Sequence, residues 1–239
     1  MNNIYEQIFP LRTCDFDRYS RLKPCAILDI FQEVAGSHAN ELGVGFDEML
    51  KKDLMWVITK VKFEILKNPK THTSVRVVTW PLTPSKITLQ REYEIYSLDG
   101  ELLIRGSSEW VFMHAKLRKF MPAGDIYPLT EFYKKEAFEG KFTKIPKCDF
   151  DDIFTKISPR FCDFDLNGHV NNTKYANFVL NQINPKENDA LSFMQIDYHR
   201  EIRDGEEINL YIKNENSMVF AKGTNDSETL FNCKIDFKK

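Results

Sequence analysis

Apolar positions along the chain follow two periods, and they alternate in the same order twice. Ile27, Ile30, Phe31, Val34, Ala35, His38 and Leu42 recur at i, i+3, i+4, i+7, with Pro24 at the expected first turn and Gly43 just past the end. This is the pattern of a helix that buries one face. Four stretches rich in β-branched and aromatic residues follow: Met55–Leu66, Ser74–Trp80, Lys86–Ser97 and Glu101–His114. They read as strands. In the third, Ile87, Leu89, Arg91, Tyr93 and Ile95 share one parity, and Asp99-Gly100 signals a hairpin. Further on, Tyr175, Phe178, Val179 and Gln182 again define a helical face, closed by Pro185. Four more predicted strands come after it: Leu191–Arg200, Glu206–Asn216, Ser217–Thr224 and Glu228–Phe237, with turns at Asp204-Gly205 and Asn225-Asp226-Ser227.

The repetition extends to residue identity. Arg12-Thr13-Cys14-Asp15-Phe16-Asp17 returns 148 positions later as Arg160-Phe161-Cys162-Asp163-Phe164-Asp165, each copy just ahead of a helical face. A third occurrence of the tetrapeptide, Cys148-Asp149-Phe150-Asp151, has no such face behind it. From Pro122 to Pro159 periodicity is weak and Lys, Glu and Pro are frequent, which reads as a long connector. The expected organisation is α+β: two tandem units, each a long helix wrapped by an antiparallel sheet. Residues 1–121 form the first, 122–152 a linker and 153–239 the second. An apolar helix can bury its face against a sheet that curls around it, and two such sheets joined edge to edge would hide two edges.

The 239 residues are 42% hydrophobic with a formal net charge of −2, an ordinary globular composition. The near-neutral balance speaks against a nucleic-acid partner. No apolar run of about 18 residues exists, so no membrane insertion is expected. The start, Met1-Asn2-Asn3-Ile4-Tyr5-Glu6, has neither the basic nor the apolar part of a secretory signal. Five cysteines without a C-x-x-C pair suit reduced cytosolic thiols rather than a disulfide framework or zinc site.

The second copy carries candidate chemistry. Asp165, Asn167 and His169 lie at spacing two, just before a helix with Asn171 or Asn172 as its expected N-cap. The free N–H groups of a helix start can polarise a carbonyl oxygen. A histidine can move protons near neutral pH, and Asp165 can orient it or activate water. At the matching offsets the first copy has Tyr19, Ser20 and Arg21. One site per chain is therefore expected, with the first half free to hold a substrate's tail. Asp163-x-Asp165-x-Asn167-Gly168 imitates the start of a calcium loop, but the twelfth position is Lys174, where that loop needs glutamate. Asp15 and Asp163 read as turn or capping acids and His38 as a buried, hydrogen-bonded histidine. His72 and His199 read as exposed, and Cys14 and Cys162 as core strand positions. Arg12, Arg18, Arg21 and Lys23 form a basic cluster near one helix start, compatible with an acidic protein partner although a solvated face is the more frequent explanation of such runs.

The run D-x-N-x-H-V-N-N-x-K-Y resembles the signature of acyl-acyl carrier protein (ACP) thioesterases. Asp197-Tyr198-His199-Arg200-Glu201 is similar to that family's Tyr-Arg-Arg-Glu segment. In the first half, Gln32-Glu33, His38, Gly43-Val44-Gly45, Trp56-Val57, Thr79-Trp80-Pro81 and Ser108-Glu109-Trp110 fit as well. The resemblance implies a double hotdog fold and hydrolysis of fatty acyl-ACP to free fatty acid and holo-ACP. It implies Asp165, Asn167, His169 and Glu201 as catalytic residues, with no cofactor or metal. The partner would be an ACP carrying a fatty acyl chain, a homodimer is compatible with it, and the setting would be a bacterial cytosol. Plant members follow the glutamate with a cysteine; here Ile202 stands there, which favours attack by water. An acyl-CoA thioesterase and a non-catalytic acyl-binding module are the alternatives. A hydratase of related fold is a weaker third, since its acid and histidine come from opposite halves.

Overall fold

The computed structural model describes residues 3–138, 142–146, 148–150 and 152–238. Asp151 of the third tetrapeptide, part of the expected linker and both chain ends lie outside the described residues. The chain divides into two compact units, Met1–Lys141 and Phe142–Lys239.

The first unit runs β1 (Tyr5–Pro10), α1 (Pro24–Glu41), α2 (Phe46–Lys51), β2 (Leu54–Ile65), β3 (Ser74–Pro81), β4 (Thr88–Ser97), β5 (Leu102–His114) and β6 (Lys119–Met121). Its strands are antiparallel in the order β1-β3-β4-β5-β2, with β6 added to the end of β5. Proline opens α1, where a backbone N–H would have no partner. Gly43, at φ +71°, lets the chain turn away at the other end. The predicted stripe of α1 is buried and lies against the sheet. Phe31 stacks on Tyr93 with ring centroids 4.2 Å apart, over Gly106, where a Cβ would come within 2.2 Å of the Phe31 ring. His38 is fully buried, with Nδ1 3.0 Å from the Arg91 guanidinium.

β4 is buried on both faces. Leu89, Arg91, Tyr93 and Ile95 share the parity read from sequence, while Glu92 and Glu94 occupy the other. Residues after β6 cover that second face. Trp80 Nε1 donates to the Lys135 carbonyl at 2.7 Å, and Lys135 pairs with Glu94 at 2.6 Å. The Glu92 carboxylate receives Ser107 Oγ at 2.6 Å, the Ala137 N–H at 2.8 Å and Gln90 Nε2 at 2.9 Å. Tyr127 packs into the cluster of Leu42, Val44, Met49, Leu54, Leu89 and Phe112, and its hydroxyl takes a bond from Arg91. Residues 123–138 of the expected linker are thus packed against the first unit's sheet, although they lack periodicity.

The second unit runs β7 (Thr155–Ile157), α3 (Lys174–Ile183), β8 (Leu191–Tyr198), β9 (Ile208–Glu215), β10 (Met218–Thr224) and β11 (Thr229–Phe237). Its antiparallel order is β8-β11-β10-β9-β7. α3 buries Tyr175, Ala176, Phe178 and Val179. Tyr175 meets Phe231 edge to face at 5.1 Å, and Phe231 lies over Gly223 as Phe31 lies over Gly106.

Three expectations need correction. The second helix has 10 residues rather than a long span, because Asn184 adopts a left-handed conformation and Pro185 follows. Its N-cap is Thr173, not Asn171 or Asn172. Asn171 Oδ1 instead accepts the Thr173 N–H at 2.9 Å, a side-chain turn that delays the helix. Cys14 and Cys162 are exposed and sit in one-turn 3-10 helices, not in core strands.

Burial pushes the Glu92 carboxyl above its ordinary range, against the pull of Ser107, Gln90, the Ala137 N–H and Lys62. As pH rises the unfolded chain releases this proton first, so the folded state loses stability through the interval above the ordinary carboxylate value. Urea melts of wild type and Glu92→Gln across pH 4 to 8 should therefore show wild type losing stability relative to the variant as pH increases. A difference that stays flat or grows in favour of wild type contradicts this assignment.

Candidate active site

The repeated sequences fold into the same turn. In the first copy the Arg12 N–H donates to Asp15 Oδ2 at 2.7 Å; in the second the Arg160 N–H donates to Asp163 Oδ2 at 2.8 Å. Asp15 and Asp163 are thus turn acids. A tighter loop follows each. The Asp17 N–H donates to the Arg21 carbonyl at 2.8 Å, as the Asp165 N–H does to the His169 carbonyl at 2.9 Å. Asp17 Oδ1 accepts the Tyr19 N–H and Asp165 Oδ1 the Asn167 N–H, both at 2.8 Å. The third loop residue is left-handed in both: Ser20 at φ 58° and Gly168 at φ 73°. Main chain and aspartate therefore make one device twice, independently of any chemistry.

The copies differ in what the device presents. In the first, Arg21 Nε pairs with Asp17 Oδ2 at 2.9 Å and its guanidinium lies 4.7 Å from the Tyr19 ring centre. In the second, His169 Nε2 stands 3.4 Å from Glu201 Oε2. The side chains are 18% and 22% exposed, so both are sheltered yet within reach of solvent. Backbone pairing brings them together: the Val170 N–H donates to the Ile202 carbonyl at 2.9 Å, and His169 bridges Arg203. Glu201 lies just beyond β8, where its strand has left the sheet; spacing alone could not align it with a histidine 32 residues earlier.

Of the four residues singled out, His169 and Glu201 are in contact. Asp165 has one carboxylate oxygen engaged by the turn. Asn167 sits exposed at the loop tip beside Leu166, which is 95% exposed. Below the loop, Tyr175 is buried, its ring edge to face on Phe231 and Tyr198, both at 5.1 Å. Burial, with the nearby carboxylates of Glu201, Asp165 and Glu206, pushes this phenol upward, so it stays protonated. Tyr198, also pushed well up by burial, donates its hydroxyl to the Asn172 carbonyl at 2.9 Å. Among the described residues, no group of three or more His, Cys, Asp and Glu side chains is arranged to hold a metal ion. Burial pushes the Cys233 thiol up, which leaves it a poor nucleophile.

Residues 2–127 match the family described as the acyl-ACP thioesterase N-terminal domain, and residues 147–239 match the acyl-ACP thioesterase C-terminal domain. The chain belongs to the acyl-ACP thioesterase family. It is 31% identical over 216 residues to the chloroplast acyl-[acyl-carrier-protein] hydrolase FATB3 of Cuphea viscosissima, covering 83% of this chain and 52% of that protein. It is equally similar, over the same shares, to the chloroplast palmitoyl-acyl carrier protein thioesterase of Arabidopsis thaliana. The chain thus spans about half the length of these plant relatives. Among solved structures, an acyl-ACP thioesterase from Bacteroides thetaiotaomicron superposes with a TM-score of 0.87 at 20% identity, covering 99% of this chain and 98% of that one. The 12:0-ACP thioesterase from Umbellularia californica gives 0.85 at 21% identity, covering 100% and 98%. The fold is therefore the α+β fold of acyl-ACP thioesterases. Among the described residues, no helix is long and apolar enough to cross a membrane.

A Cβ at Gly168 would meet nothing within 4 Å, so this glycine serves backbone conformation rather than space. Gly168→Ala should fold and lose about 1 kcal/mol, the usual cost of a left-handed non-glycine residue. Denaturant titration reads this; a loss several times larger would mean a steric role.

Proposed function

We propose that this chain hydrolyses fatty acyl-ACP thioesters to free fatty acid and holo-ACP, with its chemistry in the second unit. The observation that carries this reading is the 3.4 Å contact of His169 with Glu201, on a turn whose twin presents Arg21 paired with Asp17. The two copies share a scaffold and differ in having a proton-transfer pair. Family membership supplies the substrate class, and the plant relatives' names point the same way.

In this mechanism His169, oriented by Glu201, takes a proton from water as its oxygen attacks the thioester carbonyl carbon. The first turn of α3 and Asn167 hold the developing oxyanion. When the C–S bond breaks, the proton passes from His169 to the leaving pantetheine thiolate. Asp165 keeps Asn167 and His169 in place through the turn, a task that Asp17 performs in the first copy, where no proton is moved. That comparison favours Glu201 over Asp165 as the acid working with His169. The finer domain reading is a tandem double hotdog: residues 1–121, with 123–138 packed on their sheet, contribute the acyl-chain pocket, the rest of 122–152 connects and 153–239 catalyse.

A panel of ACP and CoA thioesters of graded chain length tests this reading. Wild type should turn over acyl-ACP, and His169→Ala should fall by about 10²–10⁴-fold, the usual contribution of a general acid–base group. A chain with all five cysteines changed to serine should remain active. Binding of acyl-ACP without turnover, or His169→Ala at wild-type rate, rejects the proposal; loss of activity in the cysteine-free chain restores a thiol nucleophile.

A further inference from the structure

The two units can also be compared where the chain leaves β2 and β8. Past β2, the N–H groups of Leu66 and Lys67 both donate to the Leu103 carbonyl, at 2.9 and 3.0 Å. Past β8, those of His199 and Arg200 both donate to the Leu230 carbonyl, at 2.9 and 3.2 Å. Lys67 thus matches Arg200, and Asn68 matches Glu201. Each cation also meets the acid two residues before its leucine: Lys67 Nζ lies 2.8 Å from Glu101, and Arg200 Nε 3.2 Å from Glu228.

The second unit adds an arm. Lysine is a single point charge, whereas the arginine fork can hold two carboxylates. Arg200 Nη2 donates to Glu206 Oε1 at 2.7 Å. Glu206 Oε2 accepts the Arg203 N–H at 2.8 Å, and the Glu206 N–H returns to the Arg203 carbonyl at 3.2 Å. Gly205, at φ +80°, allows the turn between them. Residues 201–206 therefore form a loop fastened at its base by Arg200. The pair is partly sheltered, its side chains 34% and 23% exposed against 60% and 51% for Lys67 and Glu101. On this loop Ile202 accepts the Val170 N–H and Arg203 bridges His169. The fastened backbone is thus the one that sets Glu201 3.4 Å from His169. In the first unit Asn68 stands where the acid would be, and its Oδ1 takes the Leu22 N–H at 3.3 Å. A side chain there does the task of the Ile202 carbonyl, and among the described residues Lys67 pairs with no second acid.

We propose that Arg200 and Glu206 are positioning residues: their ion pair closes the loop that holds Glu201 in register with His169. Neither touches the reacting atoms. This rests on the hydrolysis proposed above, although the clamp can be tested without it.

The test uses the full chain. Arg200→Lys keeps the charge and the Glu228 arm, as Lys67 keeps Glu101. Glu206→Gln keeps the shape but can accept at one terminal atom only. Misplacing a catalytic group by about 1 Å can cost 10²-fold, so each should lower kcat on acyl-ACP about 10- to 100-fold with KM within about twofold. The double variant should lose no more than the larger single loss, as expected of one shared interaction. Neither substitution should add a loss in a Glu201→Gln background. Glu228→Gln, which cuts only the arm that both copies share, should keep kcat within about twofold. Amide hydrogen exchange at Val170 should quicken by about tenfold or more in both clamp variants, while amides in the centre of β11 stay protected, as for a local opening. Unchanged kcat, an equal loss in Glu228→Gln, a loss undiminished beside Glu201→Gln, or unaltered Val170 exchange overturns the proposal. Quickening that spreads to β11 marks general destabilisation and overturns it too. If wild type cleaves no thioester at all, the functional reading fails, and Val170 exchange alone decides the clamp.

Discussion

An aspartate that accepts the N–H two residues ahead of it organises this molecule's candidate site. Asp165 fixes Asn167 in this way, and the adjoining main-chain bond to the His169 carbonyl closes the loop. The bonds consume little of the side chains that follow, so residues at the second, third and fourth places can vary while the backbone holds. The duplicated chain displays this freedom directly. One copy carries Tyr19, Ser20 and Arg21, the other Asn167, Gly168 and His169, on nearly superimposable hydrogen bonds. Function is a matter of what is mounted on the turn rather than of the turn.

The same comparison separates acids that look alike. Asp15, Asp17, Asp163 and Asp165 each satisfy a backbone N–H, and a motif search would rank all of them near the chemistry. Glu201 arrives from a distant segment and meets the imidazole. In unit one, Arg21 takes an ion pair with its own loop acid and so neutralises the place where a proton acceptor would stand.

Much of this was legible in the residues. Pro24, the i, i+3, i+4 stripe and Gly43 bound α1 because each acts locally. The alternating parity of β4 and the glycine turns were readable for the same reason. What escaped was set by tertiary context. β1 is a half-exposed amphipathic strand, α2 has six residues and β6 three, too short to show a period. The cysteines of the repeated tetrapeptide were assigned to core strands because they recur, yet the acid beside each is what recurs for a structural reason. The contact of His169 with Glu201 depends on a backbone pairing across 32 residues, which only the family resemblance anticipated. Tyr175 was read as part of a helical face, and it is buried there against Phe231 and Tyr198.

The carboxylate of Glu92 carries a consequence for anyone dividing the gene. Hydrophobic periodicity fades near residue 121, which invites a cut there. A fragment ending at that point would lack the Ala137 amide that caps Glu92, the Lys135 carbonyl that receives the Trp80 indole and the Tyr127 hydroxyl that meets Arg91. Three interior polar groups of β3 and β4 would open onto water together. The autonomous N-terminal half, if one is to be made, must extend past Phe138, so the stretch that reads as a tether belongs to the body it leaves.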